Sequence, residues 1–214
     1  MKPRKAPKSY EPLEEKLNVY SHGLGLLLSI AALVLLVIKA SMDGSPWRIV
    51  SFSIFGVSLI VLYTASTVFH NAKDPVIRKR LNIFDHASIY VLIAGSYTPF
   101  TLVTLNGTLG WVLFGISWGI ALIGIILKLF YTGKYEKAST IAYVLMGWMI
   151  VFAIKPLIAN LAPEGLWWLI WGGISYTVGA VLYSINKLKF NHIIFHIFVL
   201  IGSFCHFMAV YFYV

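Results

Sequence analysis

Long apolar stretches alternate with short polar stretches along most of the chain. Each apolar stretch has about the 20 residues that a helix needs to cross a hydrocarbon core of about 30 Å. The pattern predicts transmembrane helices at Val19–Lys39, Trp47–Phe69, Ile83–Thr104, Leu109–Phe130, Ala138–Ala159, Leu166–Asn186 and His192–Tyr213. Polar connections such as LNGT and LAPEG indicate turns. Because short connections make successive helices neighbours, we expect an all-α integral membrane protein, a bundle of seven antiparallel transmembrane helices.

The composition agrees with a membrane protein. Of the 214 residues, 59% are hydrophobic and 12% are charged, whereas soluble domains average about 45–50% apolar and about 25% charged. We expect one transmembrane domain, residues 19–214, behind a cytoplasmic N-terminal segment, residues 1–18. That segment has no apolar core or small-residue cleavage site, so the first helix should remain as an anchor. The sequence therefore predicts a multi-pass protein of the cell membrane.

The net charge of +9 would suggest nucleic acid binding in a soluble protein, but here the charges lie in short loops beside the apolar stretches. With the N-terminus in the cytoplasm, fourteen Lys and Arg residues lie on the cytoplasmic side. Three, namely Lys39, Arg48 and Lys155, lie on the other side. This asymmetry is typical of the positive-inside rule. We therefore predict a cytoplasmic N-terminus, an extracytoplasmic C-terminus, and membrane lipid rather than nucleic acid as the partner.

Ionisable side chains inside a membrane are costly and are functional candidates by default. On the predicted topology they gather at the cytoplasmic ends of four helices, at Glu15, His22, His70, Asp85, His86, His192 and His196. His206 lies apart, because ten residues of helix beyond His196 span roughly 15 Å. The shared level of the other residues predicts one polar site near the cytoplasmic face.

The sequence HIIFH places His192 and His196 on one helical face. Two imidazoles at this spacing can bind one metal ion, and His70 could supply a third nitrogen from the second helix. Three histidines leave a fourth tetrahedral position open for water, as in catalytic zinc sites. The alternative is that these are buried histidines bonded to Ser or Tyr hydroxyls.

Ser66 and Asp85 are the candidates for chemistry beside the zinc. Ser66 lies one turn before His70 in STVFH, where its hydroxyl could orient the ligand or hold the metal's water. The alternative for Ser66 is a hydrogen bond to a carbonyl of its own helix. A carboxylate such as Asp85 can accept the proton of a zinc-activated water. The alternative for Asp85 is an ion pair with Lys79 or Arg80.

The start of the first helix, EEKLNVYSHGLG, carries a second polar group. Glu15, Asn18 and His22 lie near one helical face, where they could line the mouth of the site or connect the first and seventh helices. Alternatively, Glu14 and Glu15 only stabilise the helix start, where the helix dipole favours acids.

Four segments together resemble the haemolysin III family, the bacterial branch of the progestin and adipoQ receptor superfamily. They are EEKLNVYSHGLG, STVFH, FDHASIYVLIAGSYTPF and HIIFHIFVLIGSFCHF, in the family's order. The resemblance implies a seven-helix bundle with zinc on His70, His192 and His196, together with Ser66 and Asp85. It also implies a role in membrane lipid homeostasis, with which bacterial relatives are associated. Eukaryotic relatives are receptors linked to a ceramidase-like lipid amidase activity, and the wider superfamily contains alkaline ceramidases. Bacterial relatives are named for a haemolytic effect.

These features leave three functions open. The first is a zinc-dependent hydrolase that cleaves a lipid amide or ester, supported by three histidines, an open position and a nearby acid. The second is a non-catalytic lipid sensor whose zinc is structural. The third is a pore-forming cytolytic protein, although a pore needs polar residues along the whole bundle. We rank the hydrolase first.

Overall fold

The computed structural model describes residues 7–185 and 187–214, and within these ranges the chain is helical without strands. Seven of the described helices are long and apolar enough to cross a membrane. They are α1 (Pro12–Asp43), α2 (Pro46–Asn71), α3 (Pro75–Leu105), α4 (Gly107–Tyr131), α5 (Glu136–Asn160), α6 (Pro163–Tyr183) and α7 (Asn191–Tyr213). The predicted all-α bundle of seven membrane-spanning helices is confirmed. The cytoplasmic location of its N-terminus remains a prediction.

The helix ends follow the local chemistry of the sequence. Proline begins α1, α2, α3 and α6, at a position where its missing N–H has no helical partner to lose. Asp74 caps α3, because its carboxylate accepts hydrogen bonds from the amides of Val76 and Ile77, both at 2.9 Å. Gly44 ends α1 with φ 68°, a left-handed conformation that favours glycine.

Several predicted boundaries differ from the structure. The largest difference is at α3, which begins at Pro75, eight residues before the predicted Ile83. α1 begins at Pro12, two turns before the predicted Val19, because the apolar pattern marks the part of a helix that meets lipid and not its polar first turns. Residues 12–18 are therefore helical, and the membrane boundary at residue 19 remains a prediction. The predicted end of the sixth helix, Asn186, lies outside the described residues, and α6 ends at Tyr183.

Two helices change their winding where they meet. α3 is α-helical to Pro99 and continues as a π-helix over Phe100–Leu105. α5 contains a 3₁₀ segment, Met149–Ala153, between two α-helical segments. The Tyr97 hydroxyl of α3 donates to the Gly147 carbonyl at 2.8 Å and accepts from the Ile150 amide at 2.8 Å. These contacts satisfy backbone groups that the irregular winding of α5 would otherwise leave unpaired inside the membrane.

The bundle has a polar end and an apolar end. We call the end at which α1, α3, α5 and α7 begin the histidine end, because His70, His192 and His196 lie there. The opposite end, the apolar end, is filled by side chains with no exposed surface: Leu36, Phe52, Phe55, Leu157 and Val210. α2 and α3 are central, with 56% and 67% of their most apolar stretches buried, whereas α1 has 22%. Peripheral α1 nevertheless reaches the histidine end with a polar face.

Candidate metal centre

Three buried histidines meet at the histidine end. His70 lies in the last turn of α2, and His192 and His196 lie in the first turns of α7. Their exposed fractions are 4%, 7% and 1%, and one ligand atom from each lies within 4.8 Å of the other two. The closest pair, Nε2 of His70 and Nε2 of His192, is 2.9 Å apart. The group could hold a metal ion.

A carboxylate orients His70. Nδ1 of His70 donates to Glu15 Oε2 at 2.7 Å, and the other oxygen of Glu15 pairs with the guanidinium of Arg78. A carboxylate paired with arginine is ionised and can only accept. The proton of His70 is therefore on Nδ1, and Nε2 keeps its lone pair for a metal. Such carboxylate–histidine pairs are typical of metal-binding histidines.

A hydroxyl holds His196 in the same tautomer as His70, with the proton on Nδ1. Ser21 Oγ donates to the backbone carbonyl of Asn18 at 3.1 Å and lies 3.2 Å from Nδ1 of His196. Because the hydroxyl proton is already used, Oγ accepts from Nδ1–H. His196 thus also keeps the lone pair of Nε2 for a metal.

The third ring, His192, is held by the segment before α1. The Tyr10 hydroxyl lies 3.0 Å from Nδ1 of His192, and the two rings stack with centroids 4.6 Å apart. Burial raises the pKa of Tyr10 well above its usual value, so the hydroxyl stays neutral. The backbone amide of His192 donates to Glu14 at 3.2 Å. The N-terminal part of the chain therefore fixes both the ring and the helix start.

The donor set fits a metal such as zinc. Three neutral imidazoles are a common zinc ligand set, and a bound ion would replace the proton that Nε2 of His70 and Nε2 of His192 share at 2.9 Å. Buried atoms beside this site also lack partners among the described residues: Asn18 Oδ1, Ser66 Oγ and both ring nitrogens of His22. Because buried polar groups are nearly always hydrogen-bonded, this cluster fits a site that receives a polar ligand.

Ser66 and Asp85 line the same cavity as His192 and His196. Ser66 Oγ makes no hydrogen bond within the described residues, so the alternative of a bond to its own helix does not describe this structure. Asp85 does not pair with Lys79 or Arg80 in the described ranges; its carboxylate is 3.7 Å from Nδ1 of His86. Asp85 is outside the group of three possible metal ligands. The catalytic roles of Ser66 and Asp85 remain predictions.

The cavity has a volume of about 150 Å³ and extends from Asp85 and Glu136 at the histidine end to His206. Its lining includes both His196 and His206, which lie roughly 15 Å apart along α7, so the cavity is elongated. Its middle is lined by apolar side chains, including Leu62, Leu92 and Val199. The site therefore combines a polar end with room for an apolar group.

The polar face of α1 agrees with the first of its two sequence-based interpretations, because it lines the site and connects α1 to α7. Glu15 contacts α2 through His70 and α3 through Arg78, so it does more than stabilise a helix start. His22 stacks on His196 with ring centroids 3.5 Å apart and planes 7° apart. It lines the cavity, while neither of its nitrogens has a hydrogen-bond partner among the described residues.

Sequence reasoning missed Tyr10, Ser21 and Arg78. Ser21 could have been found, because Glu14, Asn18 and Ser21 have the i, i+4, i+7 spacing of one helical face. Tyr10 precedes the first helix. Arg78 lies near a loop in a run of basic residues, and the positive-inside rule already accounted for their presence. No periodicity marked either residue as part of the site.

Fold and site together define a multi-pass integral membrane protein with a candidate metal centre at one end of its bundle. The family described as Haemolysin-III related matches residues 10–207, and the chain belongs to this family. It is 49% identical over 201 residues to Hemolysin-3 of Bacillus cereus, covering 94% of this chain and 92% of that protein. Hemolysin-3 homolog of Bacillus subtilis (strain 168) is also 49% identical, over 200 residues and 94% of each chain.

A more distant relative is human. Monocyte to macrophage differentiation factor of Homo sapiens is 28% identical over 209 residues, which cover 94% of this chain and 85% of that protein. The matched region of the family includes every residue of the candidate metal centre, from Tyr10 to His196.

Proposed function

We propose that this protein is a zinc-dependent hydrolase that cleaves a lipid amide or ester and so contributes to membrane lipid homeostasis. One observation carries the proposal. One ligand nitrogen from each of His70, His192 and His196 lies close to the other two. Two of these histidines line an apolar cavity together with an acid and with a hydroxyl that has no partner among the described residues. The donor set, the acid and the apolar space are what hydrolysis of a lipid linkage requires.

The proposed reaction assigns each side chain a role. Zinc on the three histidines would supply an activated water and polarise the carbonyl of the lipid. Asp85 accepts the proton of the water as its oxygen attacks the carbonyl carbon. When the bond to nitrogen or oxygen breaks, the same proton goes from Asp85 to the leaving amine or alcohol. Ser66 donates a hydrogen bond to the oxygen at the reacting centre.

The surroundings favour a lipid over a water-soluble substrate. The cavity walls are mainly apolar, and many apolar side chains face outward along the helices, for example Leu27, Ile123 and Phe152 at 66%, 60% and 90% exposure. A substrate that reaches the histidine end through the membrane therefore carries an apolar chain beside its polar linkage.

The test is a comparison of the wild type with Asp85→Asn. We expect the variant to retain zinc, because Asp85 is outside the group of possible ligands, and to lose hydrolysis by about 10²–10⁴-fold, as when a general base is removed. Release of fatty acid from ceramide-like and phospholipid substrates in liposomes measures the reaction.

Asp43→Asn is a matched control, because Asp43 pairs with Arg48 at the apolar end and this variant should keep full activity. If the wild type releases no more fatty acid than zinc-stripped protein, the hydrolase proposal is wrong.

A structural zinc in a lipid sensor is the second candidate, and a specific observation favours it. The ligands lie on α2 and α7, and their partners lie on α1 and in the segment before it. A metal there would join the ends of several helices, as a structural site does. A pore through one chain has less support, because fully buried apolar residues such as Phe52, Leu157 and Val210 fill the apolar end.

A further inference from the structure

His206 lies at the far end of the cavity from the candidate metal centre. It is ten residues after His196 on α7, roughly 15 Å along the helix axis. The residue is 8% exposed and its ring lines the cavity. The roles proposed above for metal binding and hydrolysis do not use it.

The hydrogen bonding of His206 fixes which nitrogen is free. Nδ1 lies 2.8 Å from the backbone carbonyl of Gly202, and because a carbonyl can only accept, Nδ1 carries the proton. Nε2 is then a hydrogen-bond acceptor, and it has no partner among the described residues. An acceptor that faces a cavity and has no protein partner is available to a donor from a ligand.

The neighbouring polar groups bond to one another and not to Nε2 of His206. The Tyr176 hydroxyl bonds to Ser203 Oγ at 3.0 Å, and the Trp148 indole N–H donates to Thr177 Oγ1 at 2.9 Å. A buried water needs two to four polar partners, and these pairs leave it few besides Nε2 of His206. A hydroxyl attached to an apolar chain fits better, because packing of the chain holds it in place.

The imidazole of His206 is held in a fixed position. A Cβ atom on Gly172 of α6 would come within 2.5 Å of Nδ1, so the ring is packed directly against the α6 backbone. The Tyr176 ring lies 5.2 Å away, centroid to centroid. A fixed acceptor loses little conformational freedom on binding, which favours recognition of a donor at one position.

We propose that the cavity binds a fatty acyl chain that carries a hydroxyl group about 15 Å from its polar head, with the hydroxyl donating to Nε2 of His206. The apolar middle of the cavity, including Leu62, Leu92 and Val199, packs against the chain. The placement of the polar head at the histidine end rests on the proposed function. The contact with His206 does not require hydrolysis.

The test compares binding of lauric acid and its ω-hydroxy derivative to the full chain in lipid nanodiscs, by calorimetry. We expect the wild type to favour the hydroxy acid, and His206→Phe to shift the ratio of the two dissociation constants by about tenfold or more toward lauric acid. The reason is that an unpaired hydroxyl in an apolar cavity loses its hydrogen bonds to water. His206→Asn, which keeps an acceptor, should retain part of the preference.

Tyr176→Phe is the matched control, because the Tyr176 hydroxyl already bonds to Ser203, and it should keep the wild-type ratio. An unchanged ratio in His206→Phe, or equal binding of both acids by the wild type, overturns the proposal. Both ligands are free acids with no bond to cleave. Failure of the hydrolase proposal would therefore appear in the liposome assay and leave this ratio intact.

Discussion

The two ends of the cavity use the same side chain in different ways. At the histidine end, Nδ1 of His70 and Nδ1 of His196 bond to side chains from another helix, Glu15 and Ser21. At the far end, Nδ1 of His206 bonds to the backbone of its own helix. Partners from another helix turn several rings toward one point, which suits a metal. A partner from the same helix leaves one nitrogen facing a cavity, which suits a single hydrogen bond.

The difference between the two ends of the cavity is tested most strongly by replacing the histidines one at a time. We expect about one zinc per chain in the wild type and loss of most of it in His70→Ala, His192→Ala or His196→Ala. His206→Ala should retain zinc, because roughly 15 Å is far beyond ligand distance. Metal analysis of the purified variants measures this. Equal loss of zinc from the His196 and His206 variants would contradict the assignment.

A smaller effect is expected from the partners of the metal ligands. Glu15→Gln should weaken zinc affinity by about 10–100-fold, because the neutral amide orients His70 less strongly than the carboxylate. Competition with a chelator measures the affinity. Glu11→Gln provides the control, since Glu11 is exposed and makes no capping hydrogen bond. Similar affinities for both variants would mean that the Glu15–His70 contact does not support the site.

The far end can be disturbed without touching the metal. Gly172→Ala should lower the free energy of unfolding by about 1–3 kcal/mol, because the added methyl meets the His206 ring and overpacks the interface. Zinc content should not change. At Gly173 the nearest atom is 3.5 Å away, so Gly173→Ala should be nearly neutral. Thermal unfolding in detergent compares the two, and equal stability would argue against the tight packing of His206.

The orientation of the two ends is tested without changing the fold. A reporter fused after Val214 should be extracytoplasmic, and one inserted after Lys79 should be cytoplasmic, as the distribution of Lys and Arg predicts. If the reporter after Val214 is cytoplasmic instead, the prediction that the histidine end faces the cytoplasm is wrong.

Much of the fold follows from the sequence, because hydrophobic length alone identifies a transmembrane helix. The irregular winding of α5 does not, because it depends on Tyr97 of α3 reaching across to Gly147 and Ile150. The grouping of His70, His192 and His196 is accessible from spacing and predicted depth. The role of Tyr10 is not, because it precedes the helix and contacts His192, 182 residues away in the chain.

The central claim is that three histidine nitrogens bind one zinc ion at the histidine end. X-ray absorption at the zinc edge of purified wild-type protein tests it most directly. We predict three imidazole nitrogens at about 2.0–2.1 Å with one further light ligand, and loss of this spectrum in His192→Ala but not in His206→Ala. A sulfur ligand at about 2.3 Å, which would indicate Cys205, or an unchanged spectrum in His192→Ala, would contradict the account.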